Sequence, residues 1–237
     1  MKSKKCLLIL VLTLAFIVII SIILKSRRHK KGKKFHFPSK MGKNFKFPEP
    51  IVIKNILTPE ECDYLIKKAE PLVVDSMVNG ATNTEKSKYR TSKNTFLPTE
   101  NDPILKKIDK LTAKLTGKPI CHQEDLQVVS YENGQEYKEH YDPCDDPTAF
   151  CNEDKKKGGY RFATIFIYLT DDFEDGGTHF PKLNKTYKPT RGDGIFWYSY
   201  DPTGTIKNID SLHAGLPVKV GKKWGCNKWI RANGCYN

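Results

Sequence analysis

The stretch Tyr131–Asp142, YENGQEYKEHYD, decides how this chain is read. An alternating run from Leu126 leads into it, a turn falls at Asn133-Gly134, and extended structure resumes from Tyr137 to Tyr141. His140 and Asp142 lie two apart, so on a strand an imidazole and a carboxylate share one face. A second stretch, Leu212–Trp229, LHAGLPVKVGKKWGCNKW, offers a third ligand in His213 and, ten residues further on, Lys223.

Each of these residues alone has a plainer reading. A short H-x-D match arises by accident and serves equally as a surface pair before a loop. His213, between Leu212 and Ala214, fits a buried hydrogen-bonded histidine, and Lys223 beside Lys222 fits an ordinary hairpin. Together, two histidines and one carboxylate make the donor set of a non-haem Fe(II) oxygenase, which leaves coordination positions open for co-substrate and O2. An inward lysine is expensive to bury unpaired, so Lys223 would hold an acidic co-substrate, with Tyr131 donating its hydroxyl to the same anion. His179 is the competing ligand, and His29, His36 and His122 are weaker choices. The 73 residues between His140 and His213 require a fold that brings distant strands together, as a jelly roll does.

Outward from these stretches the chain is rich in short strands. Arg161–Leu169, RFATIFIYL, is the most hydrophobic and should be central. Thr178–Pro181, Tyr187–Thr190 and Ile195–Tyr198 follow, and a last pair, Gly215–Val220 and Trp224–Ile230, would join around Gly221-Lys222. Pro143–Gly159 reads as a charged loop. Before the strands come Ile51–Ile53, a helix announced by the capping box Thr58-Pro59-Glu60-Glu61, a polar loop at 79–84, extended Tyr89–Pro98, and a helix opened by Asp102-Pro103 and stopped at Gly117. The expectation is a mainly β domain with flanking helices, a small antiparallel barrel or sandwich without parallel α/β rhythm.

The N-terminus is of another kind. Residues 1–5 are basic, and Cys6–Leu24 is a run of nineteen uncharged, largely aliphatic residues. As a helix that run spans roughly 28 Å, enough to cross a bilayer as a retained signal anchor. Residues 25–50 are a Lys-rich stalk, and 51–237 the folded domain with its metal-binding core at about 122–232. Of the formal charge of +13, ten basic residues fall in 1–34, leaving thirty basic against twenty-seven acidic beyond. The positive charge therefore suits a membrane flank and argues against a nucleic-acid partner. The basic excess after the span would place the domain in the cytosol. Seven cysteines, with Cys144 and Cys151 spaced for a short bridged loop, point to a lumen instead, and the one glycosylation sequon, Asn184-Lys185-Thr186, could be used only there.

The joint pattern of His140, Asp142, His213 and Lys223 resembles the prolyl 4-hydroxylases, which depend on Fe(II), 2-oxoglutarate, O2 and L-ascorbate. The likeness runs from about Arg90 to Gly234 through YENGQEYKEHYD, RFATIFIYLTD, GDGIFWY and LHAGLPVKVGKKWGCNKWI. It implies a distorted double-stranded β-helix, a jelly roll of cupin type, with His140, Asp142 and His213 on the iron. Lys223 would take the distal carboxylate of 2-oxoglutarate, assisted by Tyr131 and Thr178. Tyr137, Trp229, Arg231 and Arg161 would lie on the peptide side. Two departures stand out: Arg231 occupies a position that is often histidine, and Asp175 replaces the first glycine of the family's Gly-Gly-x-Thr-x-Phe-Pro stretch. The resemblance further implies 4-hydroxylation of peptidyl proline in proline-rich or collagen-like protein, with release of succinate and CO2. The chain resembles the short membrane-anchored plant, algal and viral forms. They imply a single-pass type II protein with a lumenal domain in the endoplasmic reticulum and no obligatory partner subunit. Hydroxylation of another residue such as peptidyl lysine, or a non-catalytic membrane-tethered peptide-binding module, are the competing readings.

Overall fold

The computed structural model describes residues 46–76, 89–144 and 149–235. The apolar run 6–24, the stalk as far as residue 45 and the loop expected at 79–84 lie outside these residues. Among the described residues no helix is long and apolar enough to cross a membrane. The chain divides into two units, Met1–Pro38 and Ser39–Asn237, and the described residues all belong to the second.

Strand β1 (Ile51–Ile53) precedes helix α1 (Pro59–Ala69). The capping box forms: the Glu61 N–H donates to Thr58 Oγ1 at 3.2 Å, and the Thr58 N–H donates to the Glu61 carboxylate at 2.8 Å. After β2 (Val74–Asp75) and β3 (Lys93–Leu97), helix α2 (Pro103–Thr116) starts on Asp102, whose carboxylate accepts from the N–H groups of Ile104 and Leu105. It ends where Gly117 turns left-handed at φ 70°. The remaining strands are β4 (Leu126–Tyr131), β5 (Tyr137–His140), β6 (Arg161–Tyr168), β7 (Glu174–Asp175), β8 (Thr178–Phe180) and β9 (Lys185–Tyr187). Strands β10 (Gly194–Tyr198), β11 (His213–Gly215), β12 (Val218–Val220) and β13 (Lys223–Arg231) complete the set.

All strand pairs are antiparallel, but the expected jelly roll or double-stranded β-helix is not what they build. The order β1-β10-β6-β13-β4-β3-β2 makes a seven-stranded sheet, β5-β11-β8-β9 a four-stranded one, and β12-β7 a two-stranded one. Among the described residues none of the sheets closes into a barrel, so the domain is a mixed β/α fold with several antiparallel sheets. The expectation failed because turn signals mark where strands stop and not which strands pair. Asn133-Gly134 connects β4 in the large sheet to β5 in the small one. Likewise β12 does not fold back on β13; it pairs with β7, while β13 pairs with β4 and β6. The charged stretch 143–159 is also no simple loop, since it contains helix α3 (Ala149–Lys156). RFATIFIYL is central as expected, with β6 lying between β10 and β13.

Pleating gives the large sheet two faces. On one, Lys228 of β13 reaches Asp109 of α2 at 2.7 Å, both side chains almost fully buried, so this face is the one backed by helix. On the other, Val129, Tyr131, Phe166, Tyr168, Ile195 and Trp197 pack with Phe180 of the small sheet. Burial of each such side chain is worth about 1.5–3 kcal/mol. That apolar layer holds the two sheets together and frames the site between them.

Candidate active site

Strands β5 and β11 pair with His140 directly opposite His213, and the two imidazole centroids lie 4.3 Å apart. Asp142, just past β5, joins them, and the three ligand atoms lie within 4.8 Å of one another. The Asp142 and His213 side chains are 4% and 8% exposed. Each imidazole is oriented by a backbone carbonyl: His140 Nδ1 bonds Lys138 O at 2.7 Å and His213 Nδ1 bonds Ser211 O at 2.9 Å. A carbonyl can only accept, so both Nδ1 atoms carry hydrogen and both Nε2 lone pairs remain available. Burial first, then His213, holds the His140 imidazole well below the usual histidine range, in the neutral form that ligation requires. Thr164 Oγ1 donates to Asp142 Oδ2 at 2.6 Å, which fixes the carboxylate and leaves Oδ1 on the histidine side, 3.9 Å from His213 Nε2. Two imidazoles and one oriented carboxylate fit a divalent iron. His179, the competing ligand, is not in the cluster. It bonds Thr186 Oγ1 at 2.8 Å, while its neighbours Thr178 and Phe180 are the buried residues of β8.

The anion end is built on the large sheet. Lys223 pairs across the strands with Tyr131, and Lys223 is 2% exposed. Its ammonium donates to Gly176 O at 2.7 Å and lies 5.1, 5.1 and 5.0 Å from the ring centroids of Tyr131, Phe166 and Tyr168. No carboxylate pairs with it among the described residues. Burial, with Lys188 adding repulsion, brings its pKa down to about 7. A bound carboxylate would reverse that. Gly225 makes room for the Phe166 ring beside Lys223, because a Cβ there would lie 2.4 Å from Phe166 Cζ. Thr178, also buried, shares a hydrogen bond of 2.8 Å with the Tyr168 hydroxyl.

One cavity of about 840 Å³ is lined by His140, Asp142 and His213 and by Tyr131, Thr178 and Lys223. Tyr137, Arg161 and Trp229 line it too. Tyr137 stacks on His140 at 3.5 Å, and the Arg161 guanidinium lies 3.7 Å from the Trp229 ring. Arg231 is not among the lining residues. It is 1% exposed, bonding Glu124 at 2.7 Å and Asp154 of α3 at 2.9 Å. Glu124 in turn accepts from Arg161 at 2.7 and 2.8 Å. Burial alone would raise the Glu124 carboxyl, but Arg161 and Arg231 overrule it and hold it low.

Three residues of the site escaped the sequence reading. Thr164 sits inside RFATIFIYL, where only the register, opposite Trp229 and Trp197, shows that it faces Asp142. Glu124 precedes the alternating run with no motif to mark it. Arg90, 4.6 Å from the Tyr137 ring, stands in an extended segment whose partner was unknown.

The pattern of the 2OG-Fe(II) oxygenase superfamily matches residues 126–231. A candidate prolyl 4-hydroxylase of Acanthamoeba polyphaga mimivirus is 36% identical over 185 residues, covering 78% of this chain and 75% of the relative. Prolyl 4-hydroxylase 1 of Arabidopsis thaliana is 37% identical over 201 residues, covering 78% and 69%. The crystal structure of the viral collagen prolyl hydroxylase of Paramecium bursaria Chlorella virus-1 with 2OG is 35% identical, with a TM-score of 0.61 over 77% of this chain and 96% of that one. Site and likeness together define a 2-oxoglutarate-dependent dioxygenase that uses Fe(II). Within that class, the chain belongs to the prolyl 4-hydroxylase family.

Proposed function

We propose that this chain converts peptidyl proline to 4-hydroxyproline in proline-rich or collagen-like protein, with His140, Asp142 and His213 as the iron ligands. The observation that carries the residue assignment is that these three and the buried, carboxylate-free Lys223 line one cavity. Bound Fe(II) supplies the oxidising chemistry, in which 2-oxoglutarate and O2 become succinate, CO2 and the oxygen inserted into proline. The rest is positioning. Lys223 and Tyr131, with Thr178 beside them, hold the distal carboxylate of 2-oxoglutarate in a dry site where a charge-assisted hydrogen bond is strong. Thr164 keeps Asp142 in its ligating orientation. Tyr137, Arg161 and Trp229 take the peptide: Trp229 and Arg161 form a flat shelf suited to a polyproline-type chain, which loses little entropy on binding. Arg161 presents little net charge there, because Glu124 neutralises it. Arg231 serves behind the shelf by holding Glu124 and Asp154. L-Ascorbate would serve as the reductant that keeps iron held by these residues in the Fe(II) state.

For the whole chain we propose residues 6–24 as a single-pass anchor, 25–50 as the stalk and 51–237 as a lumenal catalytic domain of a type II endoplasmic-reticulum protein. The Cys121–Cys235 and Cys144–Cys151 disulfides support an oxidising compartment, against the basic flank after the span. The deciding experiment is mass spectrometry of proline-rich peptides after incubation with Fe(II), 2-oxoglutarate and ascorbate. One oxygen gained at proline C4, lost in Asp142→Ala, is expected. Oxygen on lysine, or peptide binding without any product, would overturn the assignment.

A further inference from the structure

One motif stands apart from the site. Asn184, Lys185 and Thr186 are all exposed, and none lines the cavity. Asn184 sits at the tip between β8 and β9, after a short 3-10 turn (Pro181–Leu183), with φ 50° and ψ 45°. That left-handed conformation is one asparagine tolerates well, and it turns the side chain out of the strand pair. The backbone N–H of Asn184 bonds Pro181 O at 3.1 Å, while its carboxamide makes no hydrogen bond to the described residues. Strand β9 is the last of the small sheet, so among the described residues its outer side has no strand neighbour. Thr186 supplies the hydroxyl that the Asn-x-Thr acceptor needs, engaged only with the exposed face of His179. The intervening residue is lysine, not the excluded proline.

We propose that Asn184 carries an N-linked oligosaccharide, taken from a lipid diphosphate-linked donor: its carboxamide nitrogen bonds to the sugar C1 as the C1–O bond to the diphosphate breaks, the lipid diphosphate leaves and one amide proton is released. The inference rests on the lumenal orientation proposed above, and two disulfides within the same domain agree with that compartment. A glycan here leaves the catalytic cavity open, since the sequon is absent from its lining. It also screens the free edge of β9, where another strand could otherwise add. The edge carries two partial guards already, Lys185 paired with Glu49 and the Tyr187 hydroxyl donating to Pro50 O at 3.2 Å.

The test is translation of the full chain with microsomes, reading protease protection of the domain and, separately, a mobility shift removed by endoglycosidase. Protection with a shift that is lost in Asn184→Gln and Thr186→Ala but kept in Thr186→Ser is the expected result. Protection without a shift overturns the glycan and leaves the orientation standing. An unprotected domain overturns the orientation and the glycan with it. Purified Asn184→Gln should hydroxylate proline peptides at the same rate as the glycosylated protein, and a fall in rate would refute the placement of the glycan away from the cavity.

Discussion

Lys223, proposed to hold the distal carboxylate of 2-oxoglutarate, is costly to bury. Ligand-free, Lys223 holds its proton only below about 7, whereas in the unfolded chain it would do so to its ordinary value of 10.5. Between these limits the unfolded state binds more protons, so the contribution of this group to stability rises with pH across that window. Dicarboxylate binding selects the ammonium and runs the opposite way. Affinity for 2-oxoglutarate should therefore fall about tenfold per pH unit above neutrality, with close to one proton taken up on binding. Calorimetry at about pH 8 in two buffers of different ionisation enthalpy measures that proton directly. No uptake would mean that Lys223 is already charged, or that the diacid binds elsewhere. The two histidines and Asp142 were readable as candidate donors from the joint pattern with Lys223, but not the carbonyls of Lys138 and Ser211 that set their tautomers. Those acceptors belong to the backbone and leave no trace in composition.

Among the elements, β13 carries the most. Its pleat sends Lys228 back to Asp109 of α2, and Lys223 and Trp229 forward into the cavity. Gly225 is the gap between them, filled by the Phe166 ring. Gly225→Ala should force that ring toward Lys223. A loss of about 1–3 kcal/mol, the usual effect of overpacking, is expected in urea denaturation, together with weaker binding of 2-oxoglutarate. Unchanged stability would show that Phe166 relaxes freely and does not shape the anion end. Helices α1 and α2 were legible to the residue at their starts, because caps are local chemistry. The strand pairings were not, because they depend on partners dozens of residues away. Helix α3 was hidden by its charges, some of which point at a neighbour: Asp154 reaches Arg231.

At the scale of the whole domain, the site spans two layers. His140 and His213 stand on the small sheet, Lys223 and Tyr131 on the large one. A metal and a diacid bound together would tie the sheets to each other, adding about 2.7 kcal/mol at a hundredfold excess over Kd. A redox-inert divalent ion plus 2-oxoglutarate should raise Tm by about 5–10 °C, and either alone by less. Scanning calorimetry with His213→Ala as control reads this. A full shift from 2-oxoglutarate without metal would separate the two ends of the site.

The sequence by itself determined the candidate donors, the helix starts, the central strand and the family, since each is written in neighbouring residues or in a joint pattern that few other chemistries use. Tertiary structure alone decided that the sheets stay open, that β12 leaves β13 for β7, and that Arg231 sits behind the cavity instead of lining it. The physical reason is register. A residue's face and partner follow from which strand lies beside it, and strand pairing is settled by the packing of the whole apolar layer around Phe180 and Trp197.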